Sequence, residues 1–248
     1  MPGLVPGIHV LKQERPWLAG TSPAMTKEER HEMKLFTFWR SLATYRVRMA
    51  LNIKGITPDE LIDVNLPQGK QREAGYRKIN PMMAIPALIE DDGTVLFESL
   101  AIMEYLDETH PNPPLLPKEP KARARVRGIA QIIACDTHPL IVPRVREYLA
   151  HEYKIDDAGV NAWGHHWHEA ALQALETVLS SKETGRFAQG DQLSIADICL
   201  CGQAVGAAYF KCDIAPYPTV KRIVEECNKI EAVARAHPLK QPGAPASL

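Results

Sequence analysis

Residues 34–55, KLFTFWRSLATYRVRMALNIKG, change period in the middle. Lys34 to Phe38 read as a short strand that ends at Trp39 and Arg40. From Ser41 onward, Val47, Ala50, Leu51 and Lys54 recur at helical spacing, and Gly55 supplies a stop because glycine enters the left-handed cap conformation without steric cost. The stretch therefore predicts strand, short loop and helix, with Ser41 at the junction. Downstream, ELIDV (60–64) offers a second strand and GKQREAGYRKIN (69–80) a short or irregular helix. AIPALIE (84–90) and TVLFE (94–98) read as strands around the turn signal Asp91-Asp92-Gly93. SLAIMEYLDETH (99–110) is a helix with Leu100, Ile102, Met103 and Leu106 among its apolar positions.

The order β-α-β-α-β-β-α predicts a small α/β layer domain over residues 33–110, with a right-handed crossover after the first strand and a closing hairpin. Residues 111–120, PNPPLLPKEP, hold five prolines in ten positions, which removes amide donors and discourages helix, so they read as the domain linker. Beyond them strand alternation disappears. Helices are predicted over 121–150, 156–181, 194–210 and 216–232, forming a bundle within 121–240 and leaving 241–248 as a tail. The fold class is α/β plus all-α. Residues 1–32 carry Pro2, Pro6, Pro16 and Pro23 without a lasting period and read as a flexible or appended arm, with a docked arm as the alternative. In LSIADIC, Ser194 and Asp197 have capping-box spacing and Leu193 can staple against Ile198, a structural role.

The 248 residues carry 29 Lys and Arg against 30 Asp and Glu, a balance that attracts neither nucleic acid nor anionic membrane. No run is long and apolar enough for a membrane span, and the opening MPGLVPGIHVLKQERPWLAG lacks a signal-peptide pattern. Cys135, Cys199, Cys201, Cys212 and Cys227 form no CxxC pair and no even framework; they read as free thiols of a cytoplasmic protein.

Several residues carry candidate chemistry. Ser41 sits where helix amides stabilise an anion, and its hydroxyl can donate to a thiolate; plain N-capping by Ser41 or Thr44 is the competing reading. Pro86 opens a strand at Ile85, where extended backbone can pair with a peptide-like ligand or simply form a sheet edge. Glu98 and Ser99 begin a helix and suit the ammonium and carboxylate of an amino-acid end, or an ordinary cap. His165, His166 and His168 lack the pattern of a metal site, since residue 166 points about 100° away from its neighbours, and no metal is expected. His138, before Pro139, is a better functional candidate, with a satisfied structural histidine as the alternative. GxSxG, the Gly-rich dinucleotide fingerprint and the GK[ST] loop are all absent.

Taken in order, FWRSLATYRVRMALNIKG, NPMMAIPALIE, ESLAIMEYLDETHP, CDTHPL, LSIADICL and FKCDIAPYP resemble the zeta class of glutathione transferases, which includes maleylacetoacetate and maleylpyruvate isomerases. The resemblance covers roughly residues 33–242. It implies a thioredoxin-like N-terminal domain, a helical C-terminal domain and a homodimer. It also implies glutathione as cofactor and a small electrophile as substrate. Ser41 then lies beside the glutathione sulfur, and Ile85 before a cis Pro86 binds the cysteinyl backbone. Glu98 and Ser99 hold the γ-glutamyl end, Gln71 reaches the peptide, and His138 is a polar contact from the helical domain. The expected chemistry is conjugation by the thiolate, with cis-trans isomerisation or noncatalytic glutathione binding as alternatives. Leu42 and Ala43 replace polar residues common in the family near the sulfur. Tyr209 stands where its isomerases commonly carry an arginine, and Val142 and Pro143 also depart from the polar and basic residues of maleylpyruvate isomerases. Tyrosine cannot supply a bidentate cationic fork, so these departures predict a broader or less anionic substrate unless Arg40, Arg46 or Arg144 compensates.

Overall fold

The computed structural model describes residues 32–246. The arm expected over residues 1–32 lies outside the described residues except for Glu32. The α/β layer has strands β1 (Lys34–Thr37), β2 (Glu60–Asp63), β3 (Ala87–Ile89) and β4 (Val95–Phe97), with helices α1 (Leu42–Lys54), α2 (Ala74–Ile79) and α3 (Ser99–Thr109). The strand order is β2-β1-β3-β4. β1 pairs parallel with β2, Leu35 opposite Leu61, as a helical crossover requires. It pairs antiparallel with β3, Leu35 opposite Leu88, and β3 and β4 form the expected hairpin. Gly55 caps α1 in the left-handed region at φ 69°, and its N–H reaches the Asn52 and Leu51 carbonyls.

The proline-rich segment is anchored rather than loose. The buried Asp107 carboxylate accepts from the Leu115 amide at 2.7 Å and the Leu116 amide at 3.1 Å, and Lys54 Nζ completes the cluster at 2.7 Å. Both leucines are buried. Helices follow: α4 (Pro120–Gln131), α5 (His138–Ile141), α6 (Pro143–Glu152), α7 (Asp157–Leu179), α8 (Ile195–Tyr209), α9 (Pro218–Asn228) and α10 (Glu231–Arg235).

Two predicted helices are subdivided. The helix expected over 121–150 passes through a π-helical turn at Ile132–Thr137 and breaks at Val142, whose extended backbone (ψ 156°) is the conformation that the following Pro143 favours. The helix expected over 216–232 starts at Pro218 and stops at Asn228, before the short α10. The capping box before α8 is present, with the Asp197 carboxylate accepting the Ser194 amide at 2.8 Å. The expected tail is partly tied down, since Gln241 Nε2 donates to the Arg235 and His237 carbonyls at 3.0 and 3.1 Å. Four cysteines are buried and Cys135 is exposed; all are free thiols.

Candidate active site

A cavity of about 710 Å³ opens where the N-terminal end of α1, the approach to β3 and the start of α3 face α5, α6 and the end of α8. This volume lies in the roughly 300–1,000 Å³ range of small-molecule sites. The residues to which the family resemblance gives a place in the site all line it: Ser41, Leu42 and Ala43; Gln71, Ile85 and Pro86; Glu98 and Ser99; His138 and Tyr209.

Ser41 is the N-cap of α1, as predicted. Its oxygen accepts the Thr44 amide at 3.2 Å and the Thr44 hydroxyl at 2.9 Å. Serine has two acceptor lone pairs and one donor, so these bonds occupy the lone pairs and leave the O–H as the free valence. Thr44 is fully buried beneath it. Ser41 therefore caps the helix through its oxygen, and these bonds leave its hydroxyl hydrogen uncommitted at the cavity.

Across the cavity, the Ile85-Pro86 bond is cis. The preceding Ala84 carbonyl is held by Tyr76 Oη at 2.6 Å and Asn80 Nδ2 at 2.8 Å, which fixes the main chain as it enters the site. Glu98 adopts φ 67°, a left-handed conformation that costs a non-glycine residue free energy, and it does so at the N-terminus of α3. Ser99, first residue of that helix, is buried, and Gln71 presents a buried Oε1 with no hydrogen-bond partner.

The opposite wall is cationic, and the sequence reading found only part of it. Arg40 stacks over the Tyr209 ring at 4.7 Å, and Arg146 lies over Phe210 at 5.6 Å. Burial and the neighbouring Arg40 lower the Arg146 guanidinium below its ordinary range. Arg46 is 3% exposed, and its Nη2 meets His138 Nδ1 at 3.5 Å. Burial, then Arg46, His168 and Arg144, depress the His138 imidazole well below its ordinary value, so it is neutral at neutral pH. Arg146 and Cys135 also line the cavity, and neither was singled out as a site residue. The i,i+2 spacing of Arg144 and Arg146 behind a helix-starting proline was the available signal for Arg146.

The HHWH histidines do not come together as a ligand set. His168 is fully buried beside Phe210, with its imidazole pushed down to about 4 by burial, while His166 is exposed. Among the described residues no group of three or more His, Cys, Asp or Glu is placed to hold a metal ion. No helix among them is long and apolar enough to cross a membrane.

A thioredoxin-like sheet followed by a helical bundle, with a cavity at the N-termini of α1 and α3, defines the glutathione-transferase class of enzymes. The family model described as "Glutathione S-transferase, N-terminal domain" matches residues 40–109. Maleylpyruvate isomerase of Ralstonia sp is 38% identical over 211 residues, covering 85% of this chain and 99% of that protein. Mouse maleylacetoacetate isomerase is 39% identical over 216 residues, covering 86% and 96%. Among solved structures, maleylacetoacetate isomerase from Methylobacterium extorquens AM1, with bound malonate and GSH, superposes with a TM-score of 0.82 at 50% identity, covering 86% of this chain and 99% of that one. A maleyl pyruvate isomerase described as a zeta-class bacterial glutathione S-transferase has the same TM-score at 37% identity, covering 86% and 100%. The chain belongs to the zeta class of the glutathione S-transferases.

Proposed function

We propose that the cavity binds glutathione with its sulfur beside Ser41, and that the chain directs this sulfur at a small electrophile. The observation that carries this reading is the bonding at Ser41. Thr44 occupies the oxygen's lone pairs, so the hydroxyl hydrogen is free for an acceptor, and an anion at a helix N-terminus is such an acceptor. When bound, glutathione supplies a sulfur nucleophile that either leaves after rotation about the attacked double bond, isomerising it, or stays on as a conjugate. The surrounding residues fit the rest of the tripeptide. Ile85 offers main chain for the cysteinyl unit, Ser99 and the first amides of α3 suit the γ-glutamyl carboxylate, and Glu98 suits its ammonium. Gln71 Oε1 is a buried acceptor lacking a donor, and His138 offers a neutral ring. Leu42, Ala43 and Tyr209 border the second substrate.

Within this reading, isomerisation of a carboxylate-bearing maleyl substrate is favoured over conjugation of a neutral one. Arg40, Arg46, Arg144 and Arg146 all line the cavity, whereas its acidic residues are Glu98 and Glu147, and Glu147 is already bonded to Arg72. Charge lost at Tyr209 is thus replaced nearby. Arg146→Met should raise KM for such a substrate about tenfold, the loss of one charge-assisted contact, as steady-state kinetics will show. Purified chain assayed with maleylacetoacetate or maleylpyruvate and glutathione tests the function itself. Glutathione-dependent turnover with an ultraviolet thiolate signal supports it; tight calorimetric binding without ionisation or turnover leaves only a glutathione-binding protein. Met82 and Phe97, 60% and 53% exposed, suit contact with a second copy, so a cytoplasmic homodimer belongs to the same proposal and sedimentation tests it.

A further inference from the structure

Arg48 sits on α1 about two turns beyond Ser41 and is 6% exposed, yet no carboxylate pairs with it among the described residues. Its guanidinium donates to four oxygens instead. Nε reaches the Ala236 carbonyl at 3.2 Å, and Nη1 reaches Thr37 Oγ1 at 3.2 Å and the Phe38 carbonyl at 3.4 Å. Nη2 reaches the Trp39 carbonyl at 3.3 Å. Burying a cation without an anion is unfavourable, and a methionine would fill similar space without that penalty. What arginine adds here is a rigid planar fork that can address several acceptors at once.

Three of those acceptors belong to consecutive residues, 37–39, which run directly into Arg40 and Ser41. The Phe38 carbonyl also accepts the Ser41 amide, at 3.0 Å. One oxygen therefore joins the guanidinium to the backbone of the residue whose hydroxyl faces the cavity. The fourth acceptor lies in a C-terminal stretch held against the same helix. Asn52 Nδ2 donates to the Ala232 carbonyl at 2.9 Å, Arg235 Nη2 donates to Asn52 Oδ1 at 3.1 Å, and the Tyr45 and His237 rings meet edge-on at 6.0 Å.

We propose that Arg48 is a positioning residue for Ser41, its fork locking the loop at residues 37–39 against the C-terminal stretch so that the Ser41 hydroxyl stays aimed into the cavity. This rests on the reading of Ser41 given above. The competing physical account is that the buried positive charge alone matters. Lysine separates the two, since it keeps the charge but presents a point rather than a fork.

The experiment compares wild type with R48K, R48M, T37V and N52A. It follows the ultraviolet thiolate signal of bound glutathione against pH, calorimetric glutathione affinity, kcat and thermal stability. Both Arg48 variants should move the thiol midpoint up by about half to one pH unit and lower kcat about five- to tenfold near neutrality, with affinity changing less than about threefold. T37V removes one acceptor with a residue that suits a strand, and it should move the midpoint the same way by a smaller amount. N52A loosens the C-terminal stretch without touching the loop, so it should lower stability and move the midpoint much less than R48K does.

An unmoved midpoint in R48K or in T37V overturns the proposal, and T37V decides it even where Arg48 variants do not fold. A midpoint in N52A that moves as far as in R48K overturns it too, by showing general loosening. Wild type without a thiolate signal overturns the Ser41 reading and the role of Arg48 with it. A normal wild-type signal that survives in R48K removes the role of Arg48 alone.

Discussion

Ser41→Ala should lower kcat/KM about a hundredfold at neutral pH and raise the midpoint of the bound thiol by at least about one pH unit. A free cysteine thiol titrates near 8.5, and one unit corresponds to about 1.4 kcal/mol of preference for the charged form. Loss of that preference alone costs about tenfold in thiolate when the ambient pH lies below both midpoints. The remaining factor of about ten comes from losing a preorganised donor, below the roughly 10²–10³ that a main oxyanion donor is worth in a water-excluded site. Rate measured against pH separates the two, because at high pH the ionisation deficit vanishes and the orientation deficit does not. Thr44→Val retains the serine but frees one of its lone pairs, so the hydroxyl can turn inward. A smaller shift in the same direction is expected. An S41A enzyme with a wild-type thiol midpoint would remove Ser41 from the mechanism.

The positions that answer to local rules were legible in the sequence. Glycine at 55 demanded a left-handed cap, Ser41 followed a strand and preceded a helical period, and Pro86 preceded a strand; each depends on residues within one turn. The bundle's division was harder to read, because the π-helical turn at 132–137 interrupts a pattern that keeps its apolar spacing through the break. The cationic wall was the least legible part. Arg40, Arg46 and Arg146 come from different elements, and their convergence on one cavity depends on how α1, α6 and the end of α8 pack together. Replacement of arginine by Tyr209 looked like a loss of charge when judged one position at a time. With Arg40 on its ring and Arg146 over the neighbouring Phe210, the same position becomes part of a surface on which other charges rest.

The largest stability effect is expected at Asp197, on the helix that ends in Tyr209. Asp197 is fully buried, and both carboxylate oxygens are committed. Oδ1 accepts the Ala188 amide at 2.7 Å; Oδ2 accepts the Ser194 amide at 2.8 Å and its hydroxyl at 2.7 Å. Asp197→Ala strands two main-chain donors away from water, at about 1–3 kcal/mol each, so a destabilisation of about 3–4 kcal/mol is expected in denaturant titrations. Asn at this position should be nearly as damaging, because one side of its amide must point an NH₂ group at a main-chain N–H. Ser194→Ala removes only the hydroxyl contact and should cost about 1 kcal/mol. The pH profile adds a second signature. Burial outweighs the three donors and pushes the Asp197 carboxyl up to about 6. A carboxyl raised in the folded state stabilises most at acid pH and loses that share as pH rises from about 4 to about 6. The wild-type margin over D197N should therefore narrow through that window without closing, since the hydrogen bonds remain above it. α8 also backs α1, the helix that Ser41 caps: a Cβ at Gly206 would lie 2.7 Å from Leu42 Cδ1, and one at Gly202 3.7 Å from Arg46 Cγ. A D197N protein within about 1 kcal/mol of wild type would show that the loop at 188–194 finds other acceptors, and would leave the cap of α8 without its assigned weight.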